Sequence, residues 1–181
     1  MIVTNSSAVA RRVRMLRNHG AARPHHHTMV GHNSRLDELQ AATLRVKLRW
    51  LARWNARRHH LAGVYNRLLN RVPQVATPVE AAGRSHIYHI YAIRVPAAVR
   101  ELLRASLAQR GIATMRYYSR PVHLQPAMRH LGYRRGSFPQ AERAVQELVA
   151  LPLYPELTEA QVRTVASAIA WFFRRTSKNR A

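Results

Sequence analysis

From residue 34 to residue 62 the chain carries neither glycine nor proline, and Leu36, Leu39, Thr43, Val46, Trp50 and Trp54 recur there at steps of three or four. That spacing places them on one face of an α-helix. Continued to residue 69, the helix would be about 54 Å long at ~1.5 Å per residue, longer than a small domain is wide. A helix of that length joins two bodies or lies along a second chain. Ser34 stands at its start with Asp37 three residues on, a pattern similar to a capping box and favourable at the positive helix end. Arg45, Arg49, Arg53 and Arg57 repeat every fourth residue and form a cationic stripe on another face.

The flanking segments are more mixed. Ile2-Val3-Thr4 reads as the end of a strand, and Thr4-Asn5-Ser6 offers N-cap chemistry to a helix carrying Val9, Val13 and Leu16, stopped by Gly20. Residues 21–33 form a loop rich in proline and histidine. Residues 86–95, dense in β-branched and aromatic side chains, predict a strand. Residues 99–110 predict an amphipathic helix ended by Gly111, and 112–118 a second strand. A loop with a short helical turn fills 121–138, a helix 139–149. Thr158 with Gln161 caps a last helix running to Phe173. This order is α/β, with an α+β C-terminal portion.

Among 181 residues, 30 are Lys or Arg and only 8 Asp or Glu, a net charge of +22. All the cations but Lys47 and Lys178 are arginine. Such a surface attracts polyanions, so an arginine-rich nucleic-acid or polyanion-binding module is one candidate function. Its support would be the Arg45–Arg57 stripe and aromatic stacking from Tyr88 and Tyr91. The arginines are spread along the chain rather than gathered in a tail, however, and no nucleic-acid reader motif occurs, which makes nucleic acid the weaker expectation.

The absence of cysteine excludes disulfides, thiolate metal sites and a cysteine nucleophile. No apolar run reaches the ~18 residues that cross a bilayer, and no signal-peptide layout opens the chain; a cytoplasmic protein is expected, with no membrane partner. There is no nucleophile elbow, glycine-rich phosphate loop, zinc helix or paired carboxylate site. His25-His26-His27 would offer imidazoles to a metal. Adjacent side chains on a loop diverge and no carboxylate is near in sequence, so a solvated or substrate-side loop is expected and no metal site.

Several motifs, in order, resemble one family. They are Ile2-Val3-Thr4-Asn5 with Arg14-Met15-Leu16-Arg17-Asn18-His19-Gly20; Gly31-His32-Asn33-Ser34-Arg35-Leu36-Asp37-Glu38-Leu39-Gln40-Ala41-Ala42; Tyr88-His89-Ile90-Tyr91; Gly111-Ile112-Ala113-Thr114; Pro121-Val122-His123-Leu124-Gln125-Pro126; and Leu151-Pro152-Leu153-Tyr154-Pro155. Together they resemble the DegT/DnrJ-type nucleotide-sugar aminotransferases, pyridoxal-phosphate (PLP) enzymes of fold type I. The resemblance implies amino transfer from an amino-acid donor to a keto group of a nucleotide-linked sugar. It implies a truncated fold: residues 1–33 a remnant of the large PLP-binding domain, 34–72 a long interdomain helix, and 73–181 the small C-terminal α+β domain.

By the same resemblance Asn33 reaches the cofactor phosphate of the neighbouring subunit in a homodimer, while Tyr118 and His123 lie beside the sugar. The family's Schiff-base lysine stands just ahead of a strand like Ile2-Val3-Thr4-Asn5, so neither Lys47 nor Lys178 matches it and no catalytic residue is assigned. The chain is then expected to be inactive alone and to need a complementing N-terminal chain. Three departures are visible: Tyr117-Tyr118 replaces a frequent His-Tyr pair, Ser6-Ser7 replaces acidic residues, and the net charge of +22 is more basic than the resemblance leads one to expect.

Overall fold

The computed structural model describes residues 2–178. They form two compact units, Met1–Trp50 and Leu51–Ala181. The division falls inside the 34–72 segment.

In the first unit, helix α1 (Ser7–Leu16) is capped as expected, with Ser6 Oγ accepting the Val9 N–H at 3.4 Å. Residues 2–4 are not a strand: among the described residues none pairs with them, and a strand without a neighbour leaves its backbone unsatisfied. The expected loop contains a small antiparallel hairpin, β1 (Ala21–Arg23) with β2 (His26–His27), turned through His25 at φ +59°. Its root depends on glycine. Gly20 has φ +74°, and a Cβ there would lie 1.7 Å from the Met29 carbonyl oxygen. A Cβ on Gly31 would lie 2.2 Å from the Gly20 nitrogen, so the two backbones meet where no side chain fits.

Helix α2 runs Glu38–Leu48, not from Ser34; Asp37 is its N-cap, and its N–H donates to Gln40 Oε1 at 3.2 Å. Beyond Leu48 the bonding changes. Arg49 and Trp50 donate to Val46 and Lys47 at 3.3 and 3.0 Å, three residues back instead of four. The expected single helix is therefore two. No glycine or proline marks the change, and the apolar periodicity that suggested continuity does not report what each half packs on. Neither α1 nor α2 buries a residue.

The second unit holds the core. Helix α3 (Leu51–Leu69) is followed by β3 (Tyr91–Arg94), α4 (Ala97–Ala108), 3₁₀ turns at Val122–Leu124 and Pro126–Leu131, α5 (Pro139–Glu147), β4 (Leu148–Leu151) and α6 (Glu159–Lys178). Leu61, Tyr65 and Leu69 of α3 close against Leu103 and Leu107 of α4, Val162 and Ile169 of α6, and Ile93 and Val149 of the sheet. Each such aliphatic side chain contributes about 1.5–3 kcal/mol on burial. The second half of the expected linking helix thus belongs to this unit.

Strands β3 and β4 are antiparallel, with Tyr91 opposite Leu151 and Arg94 opposite Leu148. Lone bridges extend this ladder, Ala76 to Arg94 and Met115 to Ala150. The strand expected over 86–95 is shorter because the His86 Nδ1 accepts the Tyr88 N–H at 2.8 Å and Tyr88 takes φ +46°, bending the chain. The strand expected over 112–118 is reduced to the Met115 bridge. The helix expected to reach 149 stops at Glu147, where Leu148-Val149-Ala150-Leu151 enters the sheet. Thr158 and Gln161 form the expected cap: Thr158 N–H donates to Gln161 Oε1 at 2.9 Å and Gln161 N–H to Thr158 Oγ1 at 3.2 Å.

Candidate functional site

The approach to β3 and the exit from β4 enclose a cavity of about 250 Å³. His89, Ile90 and Tyr91 form one wall, Ala150 to Leu153 another, and Ala113, Thr114, Met115 and Tyr117 the third. Three of the motifs quoted above thus converge on one space. Its back is rigid. Tyr65 stacks on Tyr91 with ring centroids 4.8 Å apart, donates its hydroxyl to the Pro152 carbonyl at 3.0 Å, and Tyr91 donates to Asn66 Oδ1 at 2.5 Å. Burial drives both phenol pKa values well above the ordinary range, helped by Tyr154 beside Tyr65 and by Tyr88 beside Tyr91. Both hydroxyls therefore stay protonated as donors.

His123 sits in the first 3₁₀ turn, where Pro121 precedes it and Pro126 opens the second. Its Nε2 lies 3.1 Å from Glu142 Oε1, in the first turn of α5. Phe138 stands edge-on to the imidazole at 4.8 Å, and Tyr133 against Phe138 at 4.9 Å.

In the first unit, Asn33 lies on a loop laced to the end of α1. Asn18 and Asn33 form an antiparallel bridge; His32 N–H donates to Leu16 at 2.7 Å, His19 N–H to His32 at 2.9 Å and Ser34 N–H to Arg17 at 2.9 Å. Arg35 Nη1 donates to Asn18 Oδ1 at 2.8 Å. The Asn33 side chain is exposed and takes no hydrogen bond among the described residues.

Asn33 therefore lies in the Met1–Trp50 unit, and Tyr118 and His123 in the other. Tyr118 is 61% exposed and makes no hydrogen bond or ring contact among the described residues. It is its neighbour Tyr117 that lines the cavity. Nothing in the sequence marks Glu142, since a lone acid in a first helical turn signals only a favourable dipole. Lys47 lies exposed on α2, and the Lys178 side chain falls outside the described residues. His27 Nδ1 donates to the His19 carbonyl at 2.9 Å, and no group of three potential metal ligands occurs among the described residues. Nor is any described helix long and apolar enough to cross a membrane. In the arginine series, Arg57 is committed to the Leu157 carbonyl at 3.0 Å.

Comparison with known proteins gives this geometry a context. Residues 1–170 match the model of the DegT/DnrJ/EryC1/StrS aminotransferase family. A pleiotropic regulatory protein of Geobacillus stearothermophilus is 46% identical over 96% of this chain and 47% of its own length. The dTDP-3-amino-3,4,6-trideoxy-alpha-D-glucose transaminase of Streptomyces venezuelae is 39% identical over 93% of this chain and 44% of its own. Among solved structures, S. venezuelae DesV in complex with a ketimine intermediate superposes with a TM-score of 0.84 at 38% identity, over 94% of this chain and 46% of that one. The chain spans about half the length of these relatives. With its mixed helix and strand content and the matched motifs, the chain belongs to the DegT/DnrJ/EryC1/StrS aminotransferase family.

Proposed function

We propose that this chain is the C-terminal part of a PLP-dependent aminotransferase that moves an amino group from an amino-acid donor to a nucleotide-linked keto sugar. The observation that carries this is the family match over residues 1–170, reached with about half the length of each relative. On this proposal residues 1–33 belong with the large cofactor-binding domain and residues 73–181 with the small domain. A homodimer or a complementing N-terminal chain, in the cytoplasm, completes the enzyme.

The residues present fit one end of PLP only. Asn33 carries an exposed amide on a loop fixed by backbone bonds on both sides, suited to donate to the cofactor phosphate. PLP when bound supplies the electron sink for the transfer. Among the described residues the amine that must anchor it is not offered in a fitting place: Lys47 is exposed on a helix that buries nothing. The anchoring lysine is therefore assigned to the complementing part. Tyr118 and His123 face the sugar, which needs hydrogen-bond partners for its hydroxyls.

Two measurements test this. Borohydride treatment of the isolated chain with PLP should leave no stoichiometric lysine adduct, and an adduct on Lys47 would overturn the assignment. Adding the lysine-bearing N-terminal part should generate transfer to a nucleotide sugar from a background of none. The alternative, a nucleic-acid or polyanion-binding module, predicts salt-dependent nucleic-acid affinity that collapses when Arg49 and Arg53 are replaced.

A further inference from the structure

Glu142 gathers more donors than capping a helix requires. Its Oε1 accepts from Gly136 N–H at 2.8 Å and Phe138 N–H at 3.3 Å besides facing His123 Nε2, and its Oε2 lies 3.0 Å from the same Gly136 nitrogen. The His123 and Glu142 side chains are only 8% and 14% exposed. Desolvation works to raise the Glu142 carboxyl, but the Gly136 and Phe138 N–H groups and His123 outweigh it and hold the group below the usual carboxylate range. It is an ionised acceptor at neutral pH.

A carboxylate only accepts, so the His123 nitrogen facing it must carry a proton. In a neutral imidazole the other nitrogen, Nδ1, is then an acceptor. Nδ1 has no partner among the described residues. The only buried side-chain nitrogen or oxygen left unsatisfied among them is Arg58 Nε, so Nδ1 meets solvent. The T-shaped contact with Phe138 and the Glu142 bond oppose its turning over.

We infer that Glu142 is the positioning residue of His123, holding the proton on Nε2 so that Nδ1 is presented as an acceptor to a hydroxyl of the bound sugar. The sugar rests on the aminotransferase proposal above; the tautomer does not. Histidine-selective ¹⁵N spectra of the chain read it directly, with an acceptor-type Nδ1 and a donor-type Nε2 expected at His123. Glu142→Gln should keep that pattern, because an amide oxygen still accepts, whereas Glu142→Met should give mixed tautomers. In the aminotransferase assembled with its lysine-bearing part, Glu142→Met should raise KM for the nucleotide sugar about tenfold, as for one lost hydrogen bond, and leave kcat within about twofold. Glu142→Gln should restore KM.

A donor-type Nδ1 in the unmodified chain overturns the inference without any variant having to fold. So does an unchanged KM in Glu142→Met. Failure of the aminotransferase proposal has a separate signature, no transfer to any nucleotide sugar by the unmodified assembled enzyme, and the ring-nitrogen signals then decide the positioning role alone.

Discussion

Tyr65 shows how one side chain serves both core and cavity. Its ring is fully buried, yet its hydroxyl reaches the Pro152 carbonyl where the chain leaves β4. Tyr65→Phe strands that carbonyl, and a loss of about 1–2 kcal/mol is expected, read as a lower urea midpoint with an unchanged slope. Tyr118→Phe, at an exposed position, should stay within about 0.5 kcal/mol of the parent. A motif is what singles out His123 and Asn33 in the sequence; the structure adds the Glu142 partner of the one and the backbone-laced loop that carries the other. Glu142 itself was not legible, because its donors come from the backbone of Gly136 and Phe138, and backbone geometry leaves no trace in composition. Tyr117 and Tyr118 are adjacent in sequence, and only the path of the loop decides which of them lines the cavity.

Among elements, those defined by their own termini were the most legible. The Ser6 and Thr158 caps and the Gly111 stop at φ +72° are local chemistry, and each lies where its residues require. Elements defined by partners were not. Leu148-Val149-Ala150-Leu151 is four apolar residues directly after a helix, and it is pairing with β3 and with Met115 that makes it a strand. The β1–β2 hairpin was hidden for a related reason: its close approach depends on Gly20 meeting residues 29 to 31. Gly20→Ala should open it. The left-handed backbone alone penalises alanine by about 1–2 kcal/mol, before the clash with Met29 is added. Hydrogen exchange at Thr28, which donates to the Gly20 carbonyl at 3.0 Å, should quicken at least about tenfold while amides of α3 and α6 keep their protection.

For the whole molecule, charge and exposed apolar surface pull in opposite directions. A net charge of +22 keeps copies apart. Against this, α2 exposes Leu39 (82%), Leu44, Val46 and Leu48, apolar side chains that no core of their own unit covers. Repulsion fades as the screening length falls from about 10 Å at ~0.1 M salt towards a few Å near 1 M. Sedimentation of the isolated chain should accordingly show self-association that grows with salt, and one monomer boundary at every salt concentration would refute it. The β3–β4 ladder bears on the form of any aggregate: each strand is four residues long, and its outer flank carries one lone bridge, Ala76 with Arg94 and Met115 with Ala150. A flank that brief gives an incoming segment nothing to zip onto. Turbid preparations should thus be amorphous and thioflavin-dark, and dissolve again on dilution into plain water.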